Sequence, residues 1–258
     1  MKRIMCLLLL IFSSFSIYCS ESIQKLLKEI EYRYIPECID FNWKMKVFYN
    51  DGYISETKFI AKKNGASEFM FYTIYPNRSF GNVYLRIDNS IWEYFPLADV
   101  TTRSVLKNNI LNSNLSYFDI LFDDLINNYT GKIQECNKEI IINDICFDCL
   151  CIELECVNQK MNQFYPKVLL YVDCEKRLPI QREYFSSDNK KLKTVTFMDY
   201  TINDNKIMEF SMKIENEFNQ EKYTVATFSN INGKEVMEKK YFTLGFLKNW
   251  IPDMELLK

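Results

Sequence analysis

The chain of 258 residues contains no histidine, so any catalysis would have to use carboxylates or cysteines. Without histidine, Ser-His-Asp and Cys-His nucleophilic catalysis is excluded, as are histidine-based metal sites. Glu153 and Glu155 share one face of a strand-like segment and resemble the acid pair of a glycosidase. Two acids on the solvent side of a strand are far commoner, and a chain with six glycines has no Gly-rich phosphate loop. We therefore predict no enzymatic activity and no cofactor.

Four of the nine cysteines crowd into one segment: Cys146, Cys149, Cys151 and Cys156. Their spacing is not the paired C-x2-C of a zinc site, so we predict no metal. Cys146 and Cys156 share the parity of the apolar residues around them, and we expect both to pack in the core as small apolar side chains. Disulfide pairing stays open.

The formal charge of −2 comes from mixed signs, which gives no basic surface and predicts no nucleic-acid partner. Apolar residues make up 48% of the chain and aromatic residues 16%. This composition is ample for a core and favours strands.

The N-terminus has the pattern of a secretory signal peptide, with Lys2-Arg3, a short apolar run and then serines. We assign residues 1–20 to the signal peptide and residues 21–258 to one domain. The apolar run is too short for a permanent membrane helix. Ser16-Ile17-Tyr18-Cys19 also resembles a lipobox, although Tyr18 is large for that position, so lipidation of Cys19 stays an alternative.

Apolar residues from Ile23 to Tyr34 recur at helical spacing and predict an amphipathic helix that ends at Pro36. The period then changes to two, which predicts strands joined by tight turns such as Asn50-Asp51-Gly52. The first five strands run around residues 42–49, 54–63, 68–75, 82–87 and 90–95. Seven more run around residues 138–142, 148–157, 167–173, 179–185, 192–200, 207–217 and 223–230.

The middle of the chain interrupts this pattern. Residues 98–113 are polar and aperiodic, which predicts a long loop. Residues 116–127 predict a helix, with Ser116 as its cap and Asp119 three residues on. Residues 242–250 predict a short helix or coil. The predicted fold is mainly β: a large antiparallel sheet of about a dozen strands, curled by its own twist, with a few helices across its concave side.

Several motifs resemble the LolA/LolB-like outer-membrane lipoprotein-sorting family. They are Tyr75-Pro76-Asn77-Arg78, Tyr84-Leu85-Arg86, Trp92-Glu93-Tyr94-Phe95-Pro96, the loop arginine Arg103, the block from Ser113 to Ile120, Leu178-Pro179-Ile180 and the block from Lys193 to Tyr200. Asn112, Asn114 and Phe118 depart from the family pattern. The resemblance covers roughly residues 22 to 232 and implies a half-open β-barrel covered by helices.

The resemblance further implies an exported, periplasmic or envelope-associated carrier that binds acyl chains of lipoproteins or phospholipids. Its partners would be an inner-membrane release machinery and an outer-membrane acceptor. A lipid-anchored sensor, regulator or structural lipoprotein on the same fold is the alternative. The candidate cleft-lining residues are Trp43, Met45, Val47, Phe59, Phe69, Phe71, Val83, Leu85 and Ile91. The candidate lid or loop residues are Arg78, Arg103, Phe118, Leu121, Phe122 and Leu125.

Overall fold

The computed structural model describes residues 23–31, 36–65, 68–87, 90–121, 125–158 and 165–250. Within these residues the protein is mainly β, with antiparallel strands, few helices and no closure of the sheet. The chain divides into two compact units. The smaller unit comprises the described residues before 32 and those from 125 to 192, and the larger unit comprises the rest.

The larger unit is built on a sheet with the strand order β6-β5-β4-β3-β2-β1-β13-β12-β11. Its strands are β1 (Cys38–Tyr49), β2 (Ile54–Asn64), β3 (Glu68–Tyr75), β4 (Val83–Ile87), β5 (Ser90–Phe95), β6 (Val100–Val105), β11 (Lys191–Asn203), β12 (Lys206–Asn216) and β13 (Asn219–Gly233). Successive strands join as hairpins, and the first strand pairs with the last, so β1 and β13 lie at the centre of this sheet.

Alternation along β1 explains why this segment forms a central strand. Trp43, Met45 and Val47 are buried, whereas Lys44 and Lys46 between them are only half-buried. Side chains of a strand point alternately to the two faces of its sheet, so the apolar set of β1 is directed to one face.

The smaller unit carries the strand order β10-β9-β8-β7. Its strands are β7 (Tyr129–Ile142), β8 (Ile145–Cys156), β9 (Lys167–Asp173) and β10 (Pro179–Phe185). Residues 23–31 form a helix whose buried side chains include Ile23 and Leu27. The amide of Gln24 donates to the carbonyl of Tyr129 at 3.2 Å, which attaches this helix to β7. The N-terminal amphipathic helix is therefore confirmed over residues 23–31.

One strand was missed, because the prediction of a loop over residues 98–113 is wrong in its first part. Val100–Val105 forms β6, which pairs with β5 along its whole length. It is an edge strand with five exposed residues and one half-buried residue, so no alternation of apolar and polar residues marks it. Its β-branched residues were the one signal for a strand.

The predicted helix over residues 116–127 is also wrong as a continuous element. Asp119–Leu121 forms a single 3-10 turn and Leu125–Asn128 a single α-turn, whereas Ser116 to Phe118 are not helical. Residues 113–120 are all buried. A fully buried segment has no solvent-exposed face. Apolar residues at helical spacing in this segment therefore do not indicate the buried side of an amphipathic helix.

The parity predicted for the cysteines is wrong for this part of β8. Cys146 is exposed and Cys156 half-buried, whereas Cys149 and Cys151 are buried. The buried pair packs with Ile140, Tyr171 and Ile180 in a small apolar cluster. Cys146 and Cys156 lie near the two ends of β8, where parity alone does not decide burial. Among the described residues no group of acidic and cysteine side chains is placed to hold a metal ion.

The predicted C-terminal element is confirmed as two single turns, the 3-10 helix Lys239–Phe242 and the helix Leu244–Leu247. The predicted signal peptide over residues 1–20, with Cys19, lies outside the described residues. Within the part of the chain that is described, no helix has the length and apolar character needed to cross a bilayer.

Candidate functional site

The main candidate site is an apolar face of the larger unit's sheet. The strand registers place its aromatic side chains in neighbouring rows: Trp43 lies opposite both Phe59 and Phe228, and Phe71 lies opposite Tyr84. We call this surface the aromatic face and define it by Phe41, Trp43, Phe59, Phe69, Phe71, Tyr84, Phe210 and Phe228. Each of these side chains is at most 2% exposed.

The rings of the aromatic face pack against each other. Trp43 stacks on Phe59 with a centroid distance of 4.2 Å and meets Phe71 edge-on at 5.6 Å. Phe71 in turn stacks on Tyr84 at 4.4 Å, and Phe210 stacks on Phe228 at 4.9 Å. Offset-stacked and edge-to-face pairs add about 0.5–1.5 kcal/mol each to the energy of burial. One layer of rings thus extends across six adjacent strands, from β4 to β12 in the order of the sheet.

Seven of the nine predicted cleft residues lie on this face: Trp43, Met45, Val47, Phe59, Phe69, Phe71 and Ile91. Val83 and Leu85 do not. They are register partners of Tyr72 and Met70 and therefore point to the opposite face of the sheet. There they pack in a second apolar cluster, so they leave the set of candidate site residues.

The opposite face is covered by the end of the chain. Ile60, Met70, Val83 and Leu85 form one cluster with four buried residues from beyond the last strand: Met237, Phe242, Leu247 and Trp250. Tyr72 and Trp92 pack at its margin. This surface is a structural core made by the C-terminal segment.

Residues 106–121, which we call the cover segment, meet the aromatic face through Tyr117, whose ring lies 6.2 Å from the rings of Phe71 and Tyr84. The segment folds back on itself, with the amide of Ile110 donating to the carbonyl of Leu115 at 2.8 Å and the amide of Phe118 donating to that of Leu106 at 3.0 Å. The tip residues Leu111 and Asn112 adopt positive φ angles of 46° and 60°. The segment is an irregular hairpin that spans the end of the predicted loop over residues 98–113 and the start of the helix predicted over residues 116–127.

The cover segment is attached to the sheet by polar contacts at separate strands. The hydroxyl of Tyr117 donates to Glu93 Oε1 on β5 at 3.0 Å. The amide of Asn114 donates to Thr224 Oγ1 on β13 at 2.8 Å, and its side-chain amide donates to the carbonyl of Lys222 at 2.8 Å. These bonds fix the orientation of the segment over the rings.

A third attachment is a buried ion pair. Lys193 Nζ on β11 contacts Asp119 Oδ1, and the two side chains are 4% and 1% exposed. The other carboxylate oxygen of Asp119 accepts from both the backbone amide and the hydroxyl of Ser116 at 2.7 Å. Ser116 and Asp119 therefore contact each other as predicted, but the 3-10 turn begins at Asp119 itself, so the prediction that Ser116 caps a helix is wrong.

Burial also perturbs two tyrosines at this site. It raises the pKa of Tyr84 to about 12, opposed by side-chain hydrogen bonds with Asn82 and Thr73 and assisted by the charge of Glu93. Burial, followed by the charge of Glu93, raises the pKa of Tyr117 far above its usual value. Both hydroxyls therefore keep their protons and remain hydrogen-bond donors at neutral pH.

The predicted lid or loop residues do not form one group. Arg78 is exposed in the 3-10 helix Asn77–Ser79, and Phe118 is buried within the cover segment. The backbone of Leu121 closes that segment, and Leu125 is buried in the smaller unit. Phe122 lies outside the described residues.

Arg103 lies in strand β6 and not in a loop, so that prediction is wrong. Its guanidinium donates to Ser90 Oγ at 3.0 and 2.6 Å and lies over the Trp92 ring at 5.7 Å. These contacts hold Arg103 on the exposed edge of the sheet.

The predicted pair of carboxylates lies in the smaller unit. Thr130, Gly131, Lys132, Glu153 and Glu155 line a cleft of about 170 Å³. Glu153 accepts hydrogen bonds from Lys132, Lys167 and Gln134 at 2.7–3.1 Å, and the bond from Lys132 is the main reason that its pKa is lowered. A carboxylate held ionised in this way is a poor proton donor, and the cleft is polar.

Sequence reasoning missed the polar residues that attach the cover segment, namely Glu93, Asn114, Tyr117, Lys193 and Thr224. Glu93, Tyr117 and Lys193 lie in the motif blocks that carry the family resemblance, which was the available signal, whereas Asn114 departs from the family pattern and Thr224 lies outside the blocks. The ion pair between Asp119 and Lys193 could not be predicted from the sequence, because the two residues are 74 positions apart.

A protein-family model described as "Uncharacterized protein" matches residues 65–249 of the chain. No curated protein matches the chain by sequence. Three solved structures share its fold. One is a LolA superfamily protein from Nitrosomonas europaea, with a TM-score of 0.70 and 19% identity, covering 89% of this chain and 99% of that one.

The second is a DUF1329 family protein from Desulfovibrio piger, with a TM-score of 0.73, 18% identity and coverage of 89% and 99%. The third is an outer membrane lipoprotein-sorting protein domain from Vibrio parahaemolyticus, with a TM-score of 0.71, 18% identity and coverage of 87% and 97%. At these identities the comparison establishes the fold.

Proposed function

Because the chain belongs to the family of uncharacterized proteins whose model matches residues 65–249 and has the LolA-superfamily fold, we propose that it is an exported carrier for acyl chains. The chains of lipoproteins or phospholipids bind on the aromatic face, for sorting toward the outer membrane. The observation that carries this proposal is a continuous layer of rings covered by a segment that is attached through a few polar contacts.

The aromatic face is large enough in principle for this task. An acyl chain of about 15 methylenes has a membrane affinity of roughly 12 kcal/mol, at about 0.8 kcal/mol per methylene. Offsetting that affinity requires on the order of 500 Å² of apolar surface per chain. A fully buried aromatic side chain has roughly 150–250 Å² of surface, of which only the part turned away from the strands and the neighbouring rings can meet a ligand, so one chain needs most of the eight rings of the face.

Binding requires the cover segment to move, since the rings beneath it are buried. Tyr117, Asn114 and Asp119 attach it to three different strands. Opening therefore breaks a small number of polar contacts and exposes the rings between β5 and β11. In this proposal the sheet acts as a half-open barrel whose cover is irregular chain.

Export follows from the signal-peptide pattern of residues 1–20, and we propose a location in the periplasm or at the envelope. An inner-membrane release machinery would load the carrier and an outer-membrane acceptor would unload it. The lipobox-like Ser16-Ile17-Tyr18-Cys19 favours a second candidate, a lipid-anchored sensor or structural lipoprotein on the same fold. Mass spectrometry of the mature N-terminus separates the two, because the anchored form carries acyl groups on Cys19.

Two neighbouring substitutions in β3 test the proposed site. Phe71 points to the aromatic face and Met70 to the opposite face, and both are buried. We expect Phe71→Leu to weaken binding of a fluorescent fatty-acyl probe several-fold, while Met70→Leu leaves binding unchanged. Circular dichroism on both variants verifies that they are folded.

Native mass spectrometry of the wild-type protein mixed with a diacylated lipopeptide or a phospholipid provides the direct measurement. A bound lipid at one copy per chain supports the carrier. If neither lipid binds to folded protein, or if Met70→Leu and Phe71→Leu weaken binding equally, the aromatic face is a structural core and the proposal fails.

A further inference from the structure

Several turns of the larger unit lie together at one end of its sheet. Antiparallel pairing places every second turn at the same end, and the register fixes which turns these are. The register partners nearest this end are Phe48 and Ile54, Tyr49 and Lys222, Lys58 and Tyr75, and Phe95 and Val100. The turns between β1 and β2, β3 and β4, β5 and β6, and β12 and β13 therefore share this end.

Each of these turns presents a large apolar side chain to water. We call this surface the apolar end and define it by Tyr53 and Ile54 after β1, Phe80 after β3, Leu97 after β5 and Phe218 after β12. Leu97 is 82% exposed and Phe218 is 71% exposed. In the described part of this unit, the opposite end of the sheet presents Val105, Ile202 and, just beyond β13, Val236, none of which is aromatic. Single exposed apolar residues are ordinary, whereas a set repeated from turn to turn marks an interaction surface.

Hydrogen bonds and ring contacts hold these turns in place. The backbone amide of Asn50 donates to the carbonyl of Glu221 at 2.9 Å, and its side-chain amide donates to that of Gln220 at 3.1 Å. The turn after β1 is thus fixed beside the hairpin of β12 and β13. The ring of Phe80 packs edge-on against Tyr72 with a centroid distance of 5.7 Å. The exposed side chains therefore protrude from turns that are anchored to the sheet.

The tip of the cover segment lies at the same end. The side-chain amide of Asn112 donates to the hydroxyl of Tyr49 at 3.4 Å, and Lys222 Nζ donates to Asn112 Oδ1 at 2.9 Å. Tyr49 and Lys222 are register partners at the end of β1 and the start of β13. Leu111, next to Asn112, is itself exposed. The tip of the segment over the aromatic face therefore adjoins the apolar end.

The spacing of the apolar end favours a fluid partner. Neighbouring strands lie about 4.8 Å apart, so turns at one end recur about every 10 Å and this row extends for about 30 Å along the sheet. Separate protrusions at this spacing do not form the contiguous, shape-complementary surface that a stable protein partner requires. A lipid bilayer admits isolated apolar side chains, and aromatic residues are enriched at its interface.

The charges around the apolar end are mixed. The exposed acids Asp51 and Glu221 are balanced by the exposed cations Lys58 and Arg78. The remaining charged groups on these turns and beside the cover tip are Glu217, Lys222 and Asp99, of which Asp99 is paired with Lys248 at 2.8 Å. Attraction to anionic lipids requires a cluster of several lysines or arginines, so contact with a bilayer at this end is apolar in origin.

We propose that the apolar end docks the protein on the surface of a lipid bilayer, with Tyr53, Leu97 and Phe218 inserted among the outermost acyl chains. This inference rests on the proposed function for the choice of a bilayer as partner, and it deepens that function by naming the part of the carrier that meets the membrane. Docking brings the tip of the cover segment to the bilayer. An acyl chain then passes to the aromatic face without crossing water.

Co-sedimentation with vesicles tests the docking. The exported protein is produced with Cys19→Ser, so that no lipid anchor contributes, and is mixed with vesicles of phosphatidylcholine alone or of phosphatidylcholine with phosphatidylglycerol. We expect binding to both, with partition coefficients equal within about twofold and little affected by salt, because salt screens charges and not apolar insertion.

Serine substitutions assign the docking to the apolar end. Leu97→Ser and Phe218→Ser each remove one exposed apolar side chain, and we expect each to lower the partition coefficient about tenfold, the effect of losing the partial burial of one such side chain. Val236→Ser is the matched control. Val236 is 82% exposed, as Leu97 is, but it lies beyond the opposite end of the sheet, so this variant should keep the wild-type partition coefficient. Circular dichroism verifies that all three variants are folded.

The outcomes separate this inference from the proposed function, because docking and acyl binding are measured apart. If folded protein sediments with neither vesicle, or if Leu97→Ser and Phe218→Ser bind as tightly as Val236→Ser, the docking is refuted even where a fluorescent acyl probe still binds. Binding that requires phosphatidylglycerol and disappears in high salt also refutes it, as does a dimer that Phe218→Ser dissociates in place of vesicle binding. If the protein binds vesicles through the apolar end but never binds the acyl probe, docking stands and the carrier proposal fails.

Discussion

Replacing Lys193 by methionine removes the cation from an ion pair that is almost entirely buried. The side chains of Lys193 and Asp119 are 4% and 1% exposed, so water cannot compensate for the loss. Removing one partner of a buried pair costs about 3–5 kcal/mol. The bonds from Ser116 to Asp119 remain, so we expect Lys193→Met to lower the unfolding free energy by about 3 kcal/mol.

Urea unfolding followed by tryptophan fluorescence measures this change in the larger unit. The three tryptophans, Trp43, Trp92 and Trp250, all belong to that unit. Lys213→Met is the matched control, because Lys213 pairs with Glu215 at 2.7 Å with side-chain exposures of 34% and 50%. A surface pair of this kind contributes less than about 1 kcal/mol.

A double variant tests whether the uncompensated charge is the cause. Asp119→Asn removes that charge and keeps a side-chain oxygen for Ser116. The variant carrying both Asp119→Asn and Lys193→Met should therefore be more stable than Lys193→Met alone, by about 1–3 kcal/mol of coupling. If Lys193→Met costs no more than Lys213→Met, or if adding Asp119→Asn lowers stability further, the assignment of a tightly coupled buried pair is refuted.

Three further predictions concern stability. The hydroxyl of Tyr84 has side-chain hydrogen bonds with Asn82 and Thr73, so chemical denaturation should find Tyr84→Phe less stable than wild type by about 0.5–1.5 kcal/mol; a variant as stable as wild type would mean that this hydroxyl is unpaired. The raised pKa of Tyr84 favours the protonated folded state, so its stabilising contribution is complete below pH 10 and is lost as pH rises toward about 12; the decline should be smaller in Tyr84→Phe. In the smaller unit a Cβ on Gly131 would lie 2.7 Å from Leu154 Cδ2, so Gly131→Ala should cost about 1–3 kcal/mol, whereas Gly245→Ala, with open space around it, should cost nothing measurable by calorimetry.

Much of the fold was predictable because strands in this protein alternate clearly. In β1 the buried and half-buried residues follow each other at period two from Trp43 onward, and the turn at Asn50 to Gly52 is where the first hairpin reverses. The resemblance to the LolA-like family is confirmed at the level of the fold by solved structures. Edge strand β6 was not predicted, because nearly all of its residues are exposed and no alternation of buried and exposed positions marks it.

The composition of the site was harder to predict, since both faces of strand β3 are apolar. Met70 and Phe71 are adjacent and both buried. Met70 packs against the C-terminal segment, whereas Phe71 is one of the rings of the aromatic face. Period-two reasoning separates them onto two faces but does not tell which face a third element covers. Val83 and Leu85 were assigned to the wrong face for that reason.

The placement of the cover segment explains how one face can be buried and still be available for a ligand. The backbone hydrogen bonds of the larger unit's sheet join its named strands, and residues 106–121 contribute to none of these pairings. Its attachments to the sheet are side-chain bonds and one ion pair, and a neutral hydrogen bond contributes about 0.5–1.5 kcal/mol net. The segment can therefore leave without breaking the ladder that holds Trp43, Phe59 and Phe71 in register. A ligand that replaces the apolar contacts of the cover segment then opens the face while the strands remain folded.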